Sequence, residues 1–234
     1  MAFKTYLPVA FEHEHENQMF DELKTCLEPK LQSKPSILVG NVILGPVEVD
    51  ALLVYPGCIT LIEMKAYKGS IVSSNLENGI WAANGNPIRA GRYPNPFRQV
   101  RAYKFETITW LNTRIKSKID PTIPYDFGHV SGTVLFRGPI ECKVGVDRAF
   151  TKWFNITDLQ NCQKDLLNRF SPMLPSNDTF INAIPEALGL TVTTGLMNVV
   201  TDIGSNPREL DVKFHRKTEF RDSVADLITQ GGLF

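Results

Sequence analysis

The chain has 234 residues, 43% of them hydrophobic and 21% charged, with 25 Lys and Arg balanced by 25 Asp and Glu. Those values exclude a disordered chain, and no apolar run reaches the ~18 residues that a membrane-spanning helix needs. Cys26, Cys58, Cys142 and Cys162 are scattered, without Cys-x-x-Cys pairs or a short disulfide framework, and the first residues carry no signal-peptide pattern. Reduced thiols in a cytoplasmic setting are therefore expected, and a zinc site is not.

Charge is balanced overall but uneven locally. Residues 12–28 carry six carboxylates against Lys24 alone. Residues 89–118 carry Arg89, Arg92, Arg98, Arg101, Lys104, Arg114, Lys116 and Lys118 against Glu106, a local excess of +7. That segment is either a solvated helix surface or a basic face for phosphates.

In chain order, the stripe of Phe20, Leu23 and Leu27 predicts a helix from Phe11 to Glu28, closed by Pro29. Residues 36–44, 47–55 and 58–65 read as strands, and 69–73 and 79–83 as shorter ones. Asn-Gly pairs at 78–79 and 84–85 mark turns, and 86–96 is a basic loop rich in Pro. Asn95 as N-cap and Pro96 at the first position open a helix to about residue 116, with Val100, Thr107, Ile108, Leu111 and Ile115 inward. Residues 129–137, opened by His129, read as a strand at the centre of a sheet. Helices are expected at 158–170, 178–188 and 218–230, broken by Pro172, Pro175 and Pro185. Strands, then a helix, then a strand make the class α/β.

The segment EVDALLVYPGCITLIEMKAYKG, residues 48–69, places ionisable groups inside two apolar strands. With Pro56-Gly57 as the turn, antiparallel alignment sets Asp50 directly across from Glu63, and alternation puts Glu63 and Lys65 on one face with Met64 on the other. Pro-Gly favours a type II turn, whereas two-residue hairpins prefer primed ones. Adjacent carboxylates repel unless a proton or cation lies between them, and a hard divalent ion such as magnesium suits the position. A cross-strand salt bridge to Lys65 is the plain structural alternative. Glu16 shares the inward stripe of the first helix, and Gln99 and Tyr103 share one face at the start of the long helix.

Asp50, twelve residues, then Glu63-Met64-Lys65 resembles the D…(D/E)-x-K core of the PD-(D/E)XK nuclease superfamily, and Gln99-Val-Arg-Ala-Tyr103 is similar to the Q-x-x-x-Y motif of one of its branches. The order of Glu16, the VDALLV strand, IEMK, Trp81, Gly85, Asn95-Pro96 and Gln99 resembles the nuclease-related domain (NERD) family over roughly residues 10–137. His15 stands where that family often has Gly.

The resemblance implies a restriction-endonuclease-like α/β core, a mixed central sheet flanked by helices, over residues 1–140. Residues 141–234 would be a helical or mixed extension that completes the fold or meets partners. It also implies a magnesium-dependent nuclease, with manganese as a substitute, hydrolysing DNA. Asp50, Glu63, the Met64 carbonyl and Glu16 would hold the metal, with Lys65 and Gln99 at the chemistry. Arg92, Arg98, Arg101, Tyr103 and Lys104 would meet nucleic acid. Expected settings are phage defence or repair beside a helicase or other ATPase, with a homo-oligomer as a further option and no membrane. A non-catalytic nucleic-acid-binding module and an RNA-directed nuclease are the alternatives.

Overall fold

The computed structural model describes residues 3–119, 122 and 125–190. The helix expected at 218–230 lies outside them. Among the described residues, ten strands form two sheets, accompanied by five α-helices. No helix among the described residues is long and apolar enough to cross a membrane.

The main sheet takes its strands from residues 3–65 and 131–158. Strand β1 (Phe3–Tyr6) pairs parallel to β2 (Ser36–Leu44), which pairs antiparallel to β3 (Val47–Tyr55). β3 turns into β4 (Cys58–Lys65), whose other edge takes the parallel strand β8 (Ser131–Phe136), followed by β10 (Phe154–Asp158). The order is β1-β2-β3-β4-β8-β10, a mixed six-stranded sheet. Strands thus stand on both sides of the boundary drawn at residue 140.

The β3–β4 register is the one the sequence implies, with Tyr55 opposite Cys58 and Ala51 opposite Ile62. Gly57 has φ +73°, the left-handed conformation that a Pro-Gly type II turn requires of its second residue. A later segment clamps this turn. Ser171 N–H donates to Gly57 O at 2.8 Å, Gly57 N–H donates to Pro175 O at 3.3 Å, and the Tyr55 hydroxyl donates to the carbonyls of Leu166 and Arg169.

Helix α1 (Glu14–Leu31) covers one face of the sheet. It does not stop at Pro29. The missing N–H leaves one carbonyl unpaired, but Leu31 extends the Phe20–Leu23–Leu27 stripe and is buried. Burying a leucine contributes ~1.5–3 kcal/mol, enough to offset most of the ~3 kcal/mol that an interior proline costs. Met19, Phe20, Leu23 and Leu27 pack on Leu38, Ala51, Leu53, Ile62 and Met64. Helix α2 (Pro96–Arg114) lies on the opposite face, with Trp110 and Leu111 in a core that also holds Ile37, Val39, Leu52, Val54 and Leu61.

A second sheet, ordered β7-β6-β5-β9, joins β5 (Gly69–Val72), β6 (Ala82–Ala83), β7 (Asn86–Pro87) and β9 (Ile140–Cys142). The strand expected at 79–83 keeps only its last two residues, because Gly79 N–H still closes the preceding turn onto Asn75 O, and Asn84 and Gly85, both at positive φ, turn the chain back straight after. Trp81, Phe97, Val100, Val134, Phe136 and Phe154 fill the space beneath. His129 ends a 3₁₀ turn (Phe127–His129) before β8 starts and is about half exposed, rather than opening the strand. A short α3 (Arg148–Thr151) precedes β10; α4 (Cys162–Leu167) and α5 (Asp178–Ala187) follow. Pro172 and Pro175 lie between α4 and α5, but Pro185 sits inside α5 without ending it.

Gly132 fixes how closely α2 approaches β8. A Cβ there would lie 2.3 Å from Val100 Cγ1, and Val100 is fully buried. Gly132→Ala is expected to push α2 outward, costing ~1–3 kcal/mol as overpacking does. The midpoint of urea unfolding measures it; an unchanged midpoint would mean that α2 absorbs the methyl without moving.

Candidate active site

Asp50 lies where the sheet stops pairing. The β3–β4 ladder runs from Tyr55 opposite Cys58 to Ala51 opposite Ile62. One residue further, Asp50 Oδ2 instead accepts the Met64 N–H at 2.7 Å. On the other side, Asn41 interrupts β2 at φ +46°, and its Nδ2 donates to Val9 O and Ala10 O, tying down the approach to α1. A carboxylate therefore replaces backbone carbonyls as the acceptor for β4 and gains a fixed position.

Strand alternation carries Asp50, Glu63 and Lys65 to the α2 face, the same side as Leu52, Val54 and Leu61. Met64 points to the α1 face. Lys65 Nζ donates to Glu63 Oε1 at 2.6 Å, so the salt bridge that forms lies within β4 rather than across the strands. It satisfies only half of the carboxylate. Glu63 is 2% exposed, and its Oε2 has no hydrogen-bond partner. The same is true of Gln99 Oε1, while Gln99 Nε2 donates to the Tyr103 hydroxyl at 2.8 Å.

Burial raises the pKa of both carboxyls. For Asp50 the shift is large, and Glu63 adds to it, while Lys65 and the Met64 N–H oppose it. For Glu63 burial again dominates, and Lys65 and the adjacent Gln99 amide pull the other way. Glu16 repels both. Tyr103, its hydroxyl buried near the same charges, is raised as well. An uncompensated buried acceptor costs ~1–3 kcal/mol, more when it is charged. Proteins keep such groups where a ligand completes them.

The oxygens of Asp50 and Glu63 and the nearby backbone form a hard donor set, suited to a divalent cation that retains several waters. The orphaned Glu63 Oε2 and the mutual repulsion of the two carboxyls fit such an ion. Among the described residues, no three His, Cys, Asp or Glu side chains are grouped closely enough to hold a metal between them. Glu16 is felt as a charge rather than as a third member of such a group.

The structure brings Asp50, Glu63, Met64, Lys65, Gln99 and Tyr103 together and sorts the basic residues differently. Asn95 caps α2, accepting the Arg98 N–H at 2.9 Å, and its Nδ2 donates to the carbonyls of Leu76, Glu77 and Gly79. Arg101 pairs with the Glu77 carboxylate at 2.7 Å; Arg98 donates to Glu77 O and Asn78 Oδ1. Arg92 is exposed and lies over the Tyr93 ring. Lys104 is the exception to the expected nucleic-acid face. It is buried, donates to the carbonyls of Gly128 and Val130, and lies over the Trp153 ring, with its pKa drawn down to about 8 by burial. Its charge is already used inside the protein.

Two contributors were not read from the sequence. Tyr93 packs edge-on against Tyr103, 6.0 Å between centroids, and Glu77 restrains two arginines. Neither has a local signal, since each meets its partners across a loop. A cavity of about 590 Å³ opens at the other end of β4, between Cys58, His129, Trp153 and Phe170, and shares no residue with this cluster.

Fold and site together define a mixed-sheet α/β protein with a buried Glu63, a partly buried Asp50 and a lysine at the edge of its central hairpin. The family model of the nuclease-related domain matches residues 12–136, just over half of the chain. The chain belongs to the nuclease-related domain family, which implies a nuclease-like fold and a nuclease-related function. No curated protein and no solved structure matches it.

Proposed function

We propose that this protein is a divalent-metal-dependent nuclease that hydrolyses DNA phosphodiester bonds, with magnesium as its metal and manganese as a substitute. The observation that carries the reading is the buried, unpartnered Glu63 Oε2 beside Asp50 and Lys65 on one strand pair. Asp50, Glu63 and the Met64 carbonyl would hold the cation, with Glu16 adding charge nearby. A cation there supplies Lewis-acid polarisation of a phosphoryl oxygen and a more acidic water.

The chain's own groups do the rest. Lys65 carries an ammonium that can orient the attacking water or donate to a non-bridging phosphate oxygen as charge develops. Gln99 Oε1, a free acceptor, can hold that water or the Lys65 ammonium in line. Tyr103 backs Gln99 through its hydroxyl, and the buried floor excludes bulk water.

Arg92 remains available for flanking phosphates, and Arg98 and Arg101 become so only if they leave Glu77. With Lys104 committed internally, few phosphate contacts remain, and affinity for free DNA should be modest. That supports a partner that delivers substrate, such as a helicase or another ATPase in defence or repair, in the cytoplasm.

Cleavage of supercoiled and linear DNA, with RNA in parallel, tests the reading in magnesium, manganese and EDTA. Metal-dependent cutting of DNA is the expected result. Cutting of RNA alone would reassign the substrate, and magnesium binding without any cutting would favour a nucleic-acid-binding module.

A further inference from the structure

Four scattered thiols gave no pairing in the sequence, but the fold brings two of them together. Cys26 lies in the C-terminal half of α1, and Cys162 opens α4, 136 residues later. Their sulfurs are 3.1 Å apart. The junction is held on both sides of the pair: Gln163 Nε2 donates to Cys26 O at 2.7 Å, and Cys162 Sγ donates to Leu159 O at 3.2 Å. Leu23 and Leu27 of α1 and Leu166 of α4 are buried in the same core, so neither helix can drift from the other without exposing it.

We propose that Cys26 and Cys162 are a dithiol–disulfide site, oxidised reversibly by hydroperoxides and closing a covalent bridge between α1 and α4. This is independent of the nuclease reading. A disulfide needs sulfurs at 2.03–2.05 Å, so closure requires a shift of roughly 1 Å, within the adjustment of two side chains. The other cysteines are placed differently. Cys58 is buried and hydrogen-bonded to Thr60 Oγ1, and Cys142 is exposed on β9.

The chemistry is a two-electron oxidation. Cys26, half-buried, is the sulfur an oxidant reaches first, whereas Cys162 is fully buried and its thiol is raised in pKa chiefly by that burial. The Cys26 sulfur attacks a peroxide oxygen and the O–O bond breaks, giving a sulfenic acid and, with the thiol proton, one water (an alcohol from an organic hydroperoxide). The Cys162 sulfur then attacks the Cys26 sulfur. The S–O bond breaks, the S–S bond forms, and the hydroxyl leaves with the Cys162 proton as a second water. An added dithiol reverses it.

The full chain treated with hydrogen peroxide, alkylated and digested without reductant tests the proposal by mass spectrometry. The expected result is a Cys26–Cys162 linked peptide, lighter by two hydrogens than its separate parts, with Cys142 alkylated or oxidised alone. Cys162→Ser should leave Cys26 at a sulfenic acid that dimedone traps, and Cys26→Ser should leave Cys162 a thiol. Oxidised wild type should melt higher by roughly 5 °C or more than reduced, a rise that both serine variants lack. Sulfinic acid on Cys26 with no linked peptide in the wild type would overturn the proposal, as would a Cys26–Cys142 bridge between molecules.

Discussion

Lys65→Ala is expected to lower the turnover of DNA cleavage by roughly 10²–10⁴-fold while magnesium still binds. Such a loss corresponds to ~3–5 kcal/mol of transition-state stabilisation. The ammonium lies 2.6 Å from Glu63 Oε1, so it is a cation held against the carboxylates without being a ligand itself. Asp50→Ala should behave differently, losing magnesium binding and turnover together. Calorimetric titration of magnesium alongside single-turnover kinetics separates the two variants. Wild-type turnover in Lys65→Ala would make Lys65 a structural counter-ion to Glu63 and place the chemistry elsewhere.

Asp50→Asn should do the opposite to stability. In EDTA it is expected to stabilise the fold by ~1–4 kcal/mol near neutral pH while abolishing cleavage. The asparagine keeps an oxygen that can accept the Met64 N–H, and the repulsion from Glu63 and Glu16 disappears. The pH dependence follows from the raised carboxyls. The folded protein retains protons that the unfolded chain has already released above about pH 4, so metal-free stability is fullest below that point. It falls as pH rises through the raised folded values of Asp50 and Glu63. Urea midpoints in EDTA from about pH 4 to about pH 8 should therefore decline more steeply for wild type than for Asp50→Asn. Magnesium should restore the wild type selectively by mass action. Parallel pH curves for the two proteins would show that Asp50 is solvated as in the unfolded chain.

The hairpin was legible because several local signals agree. Long aliphatic runs and a Pro-Gly turn fix both the strands and their register, which runs from Tyr55–Cys58 to Ala51–Ile62 and leaves Asp50 and Glu63 just beyond it on one face. Asn95-Pro96 likewise announces the start of α2. Lys104 shows how a composition signal can mislead. It was counted with the basic face, yet Val100, Lys104, Thr107 and Leu111 follow a helical stripe, and all four are buried. The periodicity carried that information; the charge count hid it. Glu77 with Arg98 and Arg101, Tyr93 with Tyr103, and Cys26 with Cys162 depend on contacts across loops or between distant helices, which no short window of sequence contains. Between residues 140 and 190 the elements are short and owe their positions to contacts with earlier strands, so their boundaries are the least legible.

The clamp on the β3–β4 turn has a temporal consequence. Tyr55 waits 111 positions for the Leu166 carbonyl that receives its hydroxyl, and Gly57 waits longer still for Ser171 and Pro175. At a synthesis rate of ~5–20 residues per second, the hairpin bearing Asp50 and Glu63 leaves the ribosome roughly 6–20 s before its last supports. The hairpin bearing Asp50 and Glu63 is thus completed by the chain's later half, and a nascent fragment ending at the family-matched segment would carry every charged group of the candidate site on a turn that still lacks its clamp from residues 166–175.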